Sequence, residues 1–96
     1  MIEITKFRLT NDVSSEDFLE KNAEFQQHFA YRQEGLLRRT VANGLDGEWM
    51  SITWWRSMED ARRSAAEALT SPVALEFSSR LHAPSIATEY FKELPG

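Results

Sequence analysis

The sequence predicts an α+β domain of four strands and two helical regions in the order β-α-β-β-α-β. Short apolar runs with strand-like alternation are separated by segments whose apolar residues recur at helical spacing. Two turn dipeptides, Asn43-Gly44 and Asp46-Gly47, stand between the second and third runs and indicate a hairpin. A chain of 96 residues is expected to form one domain, residues 1–96.

The first strand is predicted over residues 2–9, with Ile2 and Ile4 on one side and Phe7 and Leu9 on the other. A helix follows. Ser14 is the predicted N-cap, and Asp17 is placed three residues on to complete a capping box.

The apolar stripe of this first helix consists of aromatic residues. Phe18, Phe25 and Phe29 fall on one line at roughly 100° per residue, with Asn22 between them. Gly35 is predicted to end the helix, because glycine accepts the left-handed conformation that a C′ position favours.

The hairpin strands are predicted over residues 36–43 and 48–56, joined by a four-residue loop at 44–47 or a two-residue loop at 46–47. Both loops give the same facing. One face then carries Leu37, Arg39, Val41, Met50, Ile52 and Trp54. The other carries Arg38, Thr40, Ala42, Trp49, Ser51, Thr53 and Trp55. We expect the Trp54 face to lie under the helices.

A second helix is predicted to begin at Ser57, with Asp60 as its capping-box partner. Its side toward the sheet is small, formed by Ala61, Ala65, Ala68 and Leu69. Pro72 is expected to open a further helical segment with Val73, Phe77 and Leu81 on its inner side. The last strand is predicted over residues 86–94.

This element order is the ferredoxin-like arrangement, in which two helices cover one face of a four-stranded antiparallel sheet. The other face is left uncovered, and the predicted facing puts Trp49 and Trp55 there. Because a large exposed apolar patch is unusual on a soluble monomer, we expect a homodimer whose two sheets pack face to face, with Trp49 and Trp55 in the interface.

Composition excludes several classes of function. The net charge of −4 argues against a nucleic-acid or anionic-membrane partner. Cysteine is absent, no apolar run approaches about 18 residues, and the start does not resemble a signal peptide, so a cytoplasmic protein is expected. No glycine-rich phosphate loop, nucleophile elbow or His-Glu metal motif occurs, so neither a cofactor nor a metal is expected.

Three segments carry a resemblance to a known superfamily. They are FLEKNAEFQQHF in the first helix, EGLLRR before the second strand, and DGEWMSITWWRSMEDA across the hairpin and second helix. With these segments the chain resembles, over nearly its whole length, the dimeric α+β-barrel superfamily that includes antibiotic-biosynthesis-monooxygenase-type domains. The resemblance implies a cavity between the sheet and the helices of each subunit.

Members of this superfamily include cofactor-independent monooxygenases of aromatic polyketides and quinols, and haem-degrading enzymes. The haem-degrading members use an Asn on the first strand and a Trp and a His in the second helix. Here the first strand carries Lys6 and Arg8, Ser64 stands near the Trp position, and no His precedes His82 in the second helix. Haem degradation is therefore not expected.

Five residues are the candidates for a site. Arg39, on the face predicted to be covered, would anchor an anionic oxygen unless it pairs with a local carboxylate or extends to water. Asn22 would bind a ligand oxygen or satisfy the backbone of the sheet, and Trp54 and Phe25 would be walls of a flat pocket or core residues. His28 on the flank of the first helix is the candidate general base, or a boundary residue without a role in chemistry.

Two functions remain open from the sequence. One is a small-molecule monooxygenase that works without a bound cofactor on an aromatic or quinol-like substrate, with His28 as base and Arg39 and Asn22 as partners of an oxyanion. The other is a dimeric protein that binds a small hydrophobic or aromatic ligand in the same cavity without turnover.

Overall fold

The fold was described from a computed structural model that covers all residues from Met1 to Gly96. Four strands are present: β1 (Ile2–Phe7), β2 (Leu36–Asn43), β3 (Trp49–Trp55) and β4 (Ala87–Phe91). Three α-helices lie between them: α1 (Ser15–His28), α2 (Met58–Ala68) and α3 (Pro72–Ser78). Short 3-10 turns follow α1 at Ala30–Arg32 and precede β4 at Ala83–Ser85.

The strands form one antiparallel sheet in the order β2-β3-β1-β4, and the helices pack on one of its faces. This is the predicted ferredoxin-like α+β arrangement, and the prediction is confirmed. None of the helices is both long and apolar enough to cross a lipid bilayer.

Local signals placed the starts of the helices correctly. The side chains of Ser14, Ser57 and Ser71 each accept a hydrogen bond from the backbone amide three residues later, at the starts of α1, α2 and α3. The predicted end of the first helix was wrong, because α1 stops at His28 and a 3-10 turn follows. Gly35 does have a positive φ of 84°, but it lies beyond that turn, at the entry to β2.

The predicted hairpin register was also wrong. Asn43 pairs with Trp49, so the connection between β2 and β3 is five residues long, 44–48, and neither four nor two. An odd loop length reverses the facing of one strand relative to the other. Arg39 consequently pairs with Thr53 and shares its face, whereas Trp54 pairs with Arg38 on the opposite face.

All three tryptophans therefore lie on the faces opposite to those predicted. Trp49 and Trp55 point toward the helices and are 7% and 5% exposed within a single chain. They are not available for an interface on the other face, so that prediction was wrong. Trp54, predicted to face the helices, lies on the open face, where the Arg38 guanidinium stands 4.9 Å from its ring centre.

The core lies at one end of the space between sheet and helices, where aromatic rings meet. The Phe18 ring centre is 4.7 Å from that of Trp49, 5.5 Å from Phe7 and 5.6 Å from Phe77. Leu81 completes this buried cluster. The predicted inner side of the last helical segment is confirmed for Phe77 and Leu81, whereas Leu69 at the end of α2 is exposed.

The open face of the sheet is mainly apolar at its centre. Successive open-face positions of the two central strands are Ile2, Ile4, Met50, Ile52 and Trp54, interrupted by Lys6 at the end of β1. All five apolar residues are half-buried by their neighbours in the sheet, and no helix packs against them. We call this surface the open face.

Candidate functional site

A cavity of about 190 Å³ lies between the helices and the sheet. Its aromatic walls come from every layer of the fold: Phe7, Phe25, Phe29, Trp55 and Phe77. The small residues that α2 turns toward the sheet, Ala61, Ser64, Ala65 and Ala68, leave the space that larger side chains would fill. The floor is polar, formed by Glu3, Thr5, Arg39, Ser51 and Thr53.

Arg39 is a buried cation in this cavity, with only 7% of its surface exposed. Its Nη1 donates to Asn22 Oδ1 at 2.8 Å and to Gln26 Oε1 at 2.9 Å, both on α1. The guanidinium carbon stands 4.9 Å from the ring centre of Phe25 and 5.4 Å from that of Phe77. The charge is therefore held by two neutral amides and two aromatic rings, without a carboxylate.

Burial lowers the pKa of Arg39 from 12.5 to about 10, partly offset by the charges of Tyr31 and Glu3. The side chain is still cationic at neutral pH. Of its five N–H groups, only the two on Nη1 are donated within the chain. The groups on Nη2 and Nε make no hydrogen bond within the chain, and neither atom is fully enclosed. Because Arg39 lines the cavity, these groups are available to an acceptor there.

Glu3 lies on the cavity floor, on the central strand β1. Its Oε1 accepts a hydrogen bond of 2.7 Å from the indole Nε1 of Trp55. No lysine or arginine lies within ion-pair distance of this carboxylate, and Oε2 makes no hydrogen bond within the chain. Trp55 thus fixes the carboxylate in the cavity and leaves one of its oxygens free.

Three hydroxyl groups also face the cavity. Thr53 and Ser51 lie on β3, and Ser64 lies opposite them on α2. None of the three hydroxyls is hydrogen-bonded within the chain, whereas the hydroxyl of Thr5 is paired with that of Thr88 at 3.0 Å. The cavity therefore presents hydroxyls, a carboxylate and a guanidinium on one side, and aromatic rings on the other.

The cover of the cavity is fastened at the start of α2 by a cluster around Asp60, which is 2% exposed. Asp60 accepts from Arg56 at 2.9 and 3.0 Å and from Arg63 at 2.8 Å, and Glu34 binds both arginines from the other side. The hydrogen bond from Arg56, above all, lowers the pKa of Asp60 to about 2. Gly35 lies against this carboxylate, where a Cβ atom would overlap it.

The structure brings only part of the predicted site together. Arg39 and Phe25 line the cavity. Asn22 is buried, but it lies behind Arg39 and does not line the cavity, because its Oδ1 is used to hold the guanidinium. Asn22 therefore positions the guanidinium of Arg39, whereas the prediction had it bind a ligand directly.

His28 and Trp54 lie outside the cavity. His28 is the last residue of α1, is exposed, and does not line the cavity. It is not placed to act as a base on a ligand in this cavity. Trp54 is excluded by the hairpin register, which turns it to the open face.

Glu3, Trp55 and Thr53 line the cavity but were not predicted from the sequence to do so. The sequence did contain a signal for Glu3, because Glu3 and Thr5 alternate with Ile2 and Ile4 along the first strand. Had the polar side of this strand been placed under the helices, the unusual burial would have suggested a site. Trp55 and Thr53 were missed because the predicted hairpin register, which placed both on the uncovered face, was wrong.

Comparison with known proteins supports the fold. No protein-family model matches the sequence, and no curated protein matches it. Among solved structures, a variant of SnoaB, a cofactor-independent oxygenase from Streptomyces nogalater, matches with a TM-score of 0.78 at 18% identity, covering 99% of this chain and 93% of that chain. Rv0793 from Mycobacterium tuberculosis matches with a TM-score of 0.71 at 17% identity, covering 99% and 95%.

A crystal structure described as an antibiotic biosynthesis monooxygenase also matches, with a TM-score of 0.66 at 9% identity, covering 99% of this chain and all of that chain. The similarity in each case extends over nearly the full length of both chains. At these identities the matches show a shared fold. The resemblance predicted from the sequence is thus confirmed as structural similarity: the chain has the α+β fold of the antibiotic-biosynthesis-monooxygenase-like proteins.

Proposed function

We propose that this protein is a small-molecule monooxygenase that acts without a bound cofactor on an aromatic, phenolic or quinol-like substrate. The observation that carries the proposal is Arg39, a buried cation with unused N–H groups at the edge of an aromatic-walled cavity. A desolvated guanidinium without a carboxylate partner favours an anionic oxygen beside it. The fold shared with a cofactor-independent oxygenase adds support.

The proposed reaction needs a substrate that donates electrons directly to O2. The phenolic hydroxyl loses its proton and the ring gives one electron to O2, which leaves a phenoxyl radical and superoxide. These combine at a ring carbon that carries hydrogen and lies ortho or para to the oxygen, and the peroxide takes up the proton that the phenol released. The O–O bond then breaks while that carbon loses its hydrogen, so that one oxygen atom becomes a carbonyl and the other leaves as water. Arg39 stabilises the negative oxygen formed in these steps.

The experiment is oxygen consumption with a panel of naphthols, quinols and anthrone-like phenols, comparing wild type with Arg39→Ala. We expect kcat/KM to fall about 100-fold, the effect of removing one preorganised donor from an oxyanion site. Arg38→Ala is the matched control, because it removes the neighbouring arginine from the opposite face of the same strand. Equal loss in both variants, or none in Arg39→Ala, would contradict the proposal.

A second candidate is a binding protein that uses the same cavity without turnover. The observation that favours it is that neither histidine lines the cavity, so the group most often used as a general base is missing there. Saturable quenching of tryptophan fluorescence by the same phenols, without oxygen consumption, would support this function over the first.

We also propose that the chain acts in the cytoplasm as a homodimer that buries its open face. Trp54, Ile52 and Ile4 form the centre of a continuous apolar surface that no other element of the chain covers. Packing two such faces together by a two-fold axis would remove this surface from water on both copies. The residues proposed for the interface differ from those expected from the sequence, because the register moves Trp49 and Trp55 under the helices.

A further inference from the structure

Two charged side chains, Arg39 and Glu3, lie on the cavity floor in one row of paired residues that crosses the sheet. Arg39 on β2 pairs with Thr53 on β3, Thr53 pairs with Glu3 on β1, and Glu3 pairs with Tyr90 on β4. Directly paired residues of antiparallel strands share a face. Two strand spacings separate the backbones of Arg39 and Glu3 by about 10 Å. Arg39 and Glu3 form no ion pair with each other, and both line the cavity.

The Glu3 end of the row is built to accept a proton. The indole of Trp55 holds Oε1 at 2.7 Å, which leaves Oε2 free to accept from a ligand. Tyr90 beside it has a raised pKa, caused first by burial and then by the charge of Glu3, with Arg62 of α2 acting in the opposite sense. Tyr90 is therefore protonated at neutral pH. Glu3 is the only carboxylate in the cavity lining.

The volume between the two ends indicates the size of ligand that fits. An engineered cavity of about 150 Å³ in another protein holds one benzene molecule. The cavity here is somewhat larger, at about 190 Å³, and it opens to solvent. It therefore has room for one substituted aromatic ring or two fused rings.

We propose that Glu3 is a catalytic residue, oriented by Trp55, that accepts the hydroxyl proton of a one- or two-ring phenol whose opposite end lies at Arg39. The inference rests on the function proposed above. In the resting complex the ligand hydroxyl donates to Glu3 Oε2. The ligand passes one electron to O2. At the same time its O–H bond breaks, the proton moves to Glu3, and the unpaired electron is left on the phenoxyl group. The products of this step are a phenoxyl radical, superoxide and protonated Glu3.

The substrate-side test needs no variant. Quenching of tryptophan fluorescence is measured under argon with 1,4-dihydroxynaphthalene and with 1,4-dimethoxynaphthalene, which has the same rings but no hydroxyl proton. We expect the diol to bind about ten-fold more tightly, the value of a hydrogen bond to a charged acceptor. Equal affinities of diol and ether would overturn the proposal.

The protein-side test is Glu3→Gln, which preserves the shape and the carbonyl acceptor for Trp55. We expect it to lose the preference for the diol, to bind the dimethoxy compound as wild type does, and to lower kcat for oxygen consumption by about 100-fold. Glu89→Gln is the matched control, because Glu89 lies on the neighbouring strand but on the other face. Its preference and its kcat are expected to be unchanged.

The outcomes separate this inference from the function on which it rests. If wild type consumes oxygen and Glu3→Gln does so equally well, Glu3 is not the proton acceptor and the proposed function stands. If wild type prefers the diol through Glu3 but consumes no oxygen, the carboxylate is confirmed as a binding residue, its catalytic role is overturned and the monooxygenase proposal fails. If wild type binds none of the compounds, both are wrong.

Discussion

The two faces of the sheet differ in a way opposite to the usual pattern. In most sheets covered on one side, apolar residues face the helices and polar residues face water. Here the central part of the covered face carries Glu3, Thr53 and Arg39, while the open face carries residues such as Ile4 and Trp54. Polar side chains therefore lie under the helices, where burial costs free energy, and apolar side chains lie on the face that nothing in the chain covers.

This inversion is what the two proposals made above would require. Burying a charged or hydroxylated side chain costs free energy unless it is paired, so the polar covered face supports the proposed ligand. An apolar face left uncovered supports the proposed homodimer. The buried apolar core forms at the end of the covered face occupied by Phe7 and Trp49.

The largest expected difference between the faces is in stability. Phe7→Ala removes a 1% exposed ring from the core and is expected to lower the free energy of unfolding by about 3–5 kcal/mol. Ile4→Ala, on the open face, is expected to cost less in the monomer, because Ile4 is only half-buried within one chain. Urea unfolding of the two variants at protein concentrations below the dimer dissociation constant measures this. Equal losses would show that the covered face is not where the core lies.

The next effect concerns the open face alone. Trp54→Glu introduces a charge at the centre of the proposed interface and is expected to raise the dimer dissociation constant at least about 100-fold. Sedimentation velocity over a range of concentrations checks this. Leu45→Glu is the control, because Leu45 is fully exposed in the hairpin loop, and it should leave the dimer intact. A monomeric wild type would refute the interface.

A third effect concerns the covered face, where the cluster around Asp60 holds α2 over the cavity. The open face has no such cover. The pKa of Asp60 is about 2 in the folded chain and 3.8 without its partners, so its stabilising contribution is fully present above about pH 4. The contribution is lost as the pH falls toward 2, when protonation weakens the bonds from Arg56 and Arg63. Thermal unfolding of wild type and Asp60→Asn between pH 7 and pH 2 tests this.

The difference in melting temperature between these two proteins should be largest near neutral pH and should shrink as the pH falls from about 4 to 2. Asp60→Asn retains one acceptor oxygen and similar size, so it changes mainly the charge. A constant difference across this range would contradict the role assigned to the carboxylate.

The smallest effect is that of a single hydroxyl on the floor. Thr53→Val removes a hydroxyl that has no partner in the chain, and is expected to weaken binding of 1,4-dihydroxynaphthalene about two- to ten-fold with little change in stability. Thr40→Val on the open face is the matched control and should bind as wild type does. If the two variants bind alike, the hydroxyl does not contact the ligand.

The sequence by itself determined which segments form helices and strands, and in which order. Serine caps at Ser14 and Ser57, the aromatic stripe of α1 and the helix start at Pro72 are local features, set by neighbours within one or two turns. The strand 36–43 was predicted to the residue for the same reason. Arg39 was identified as a site candidate because a cation is unusual on a face predicted to be covered, and Phe25 because it belongs to the aromatic stripe of α1.

Only the tertiary structure decided which side chains meet. The five-residue loop 44–48 fixed the facing of β3 relative to β2, and so exchanged the tryptophans between the cavity and the open face. The extra residue in β2 between Leu36 and Arg38 shifts the facing once more, so that Leu36 and Arg39 both reach the cavity. The row from Arg39 through Thr53 to Glu3 joins three strands that are distant in sequence. Such a row depends on pairing register, which the packing of the whole sheet selects and no single segment encodes.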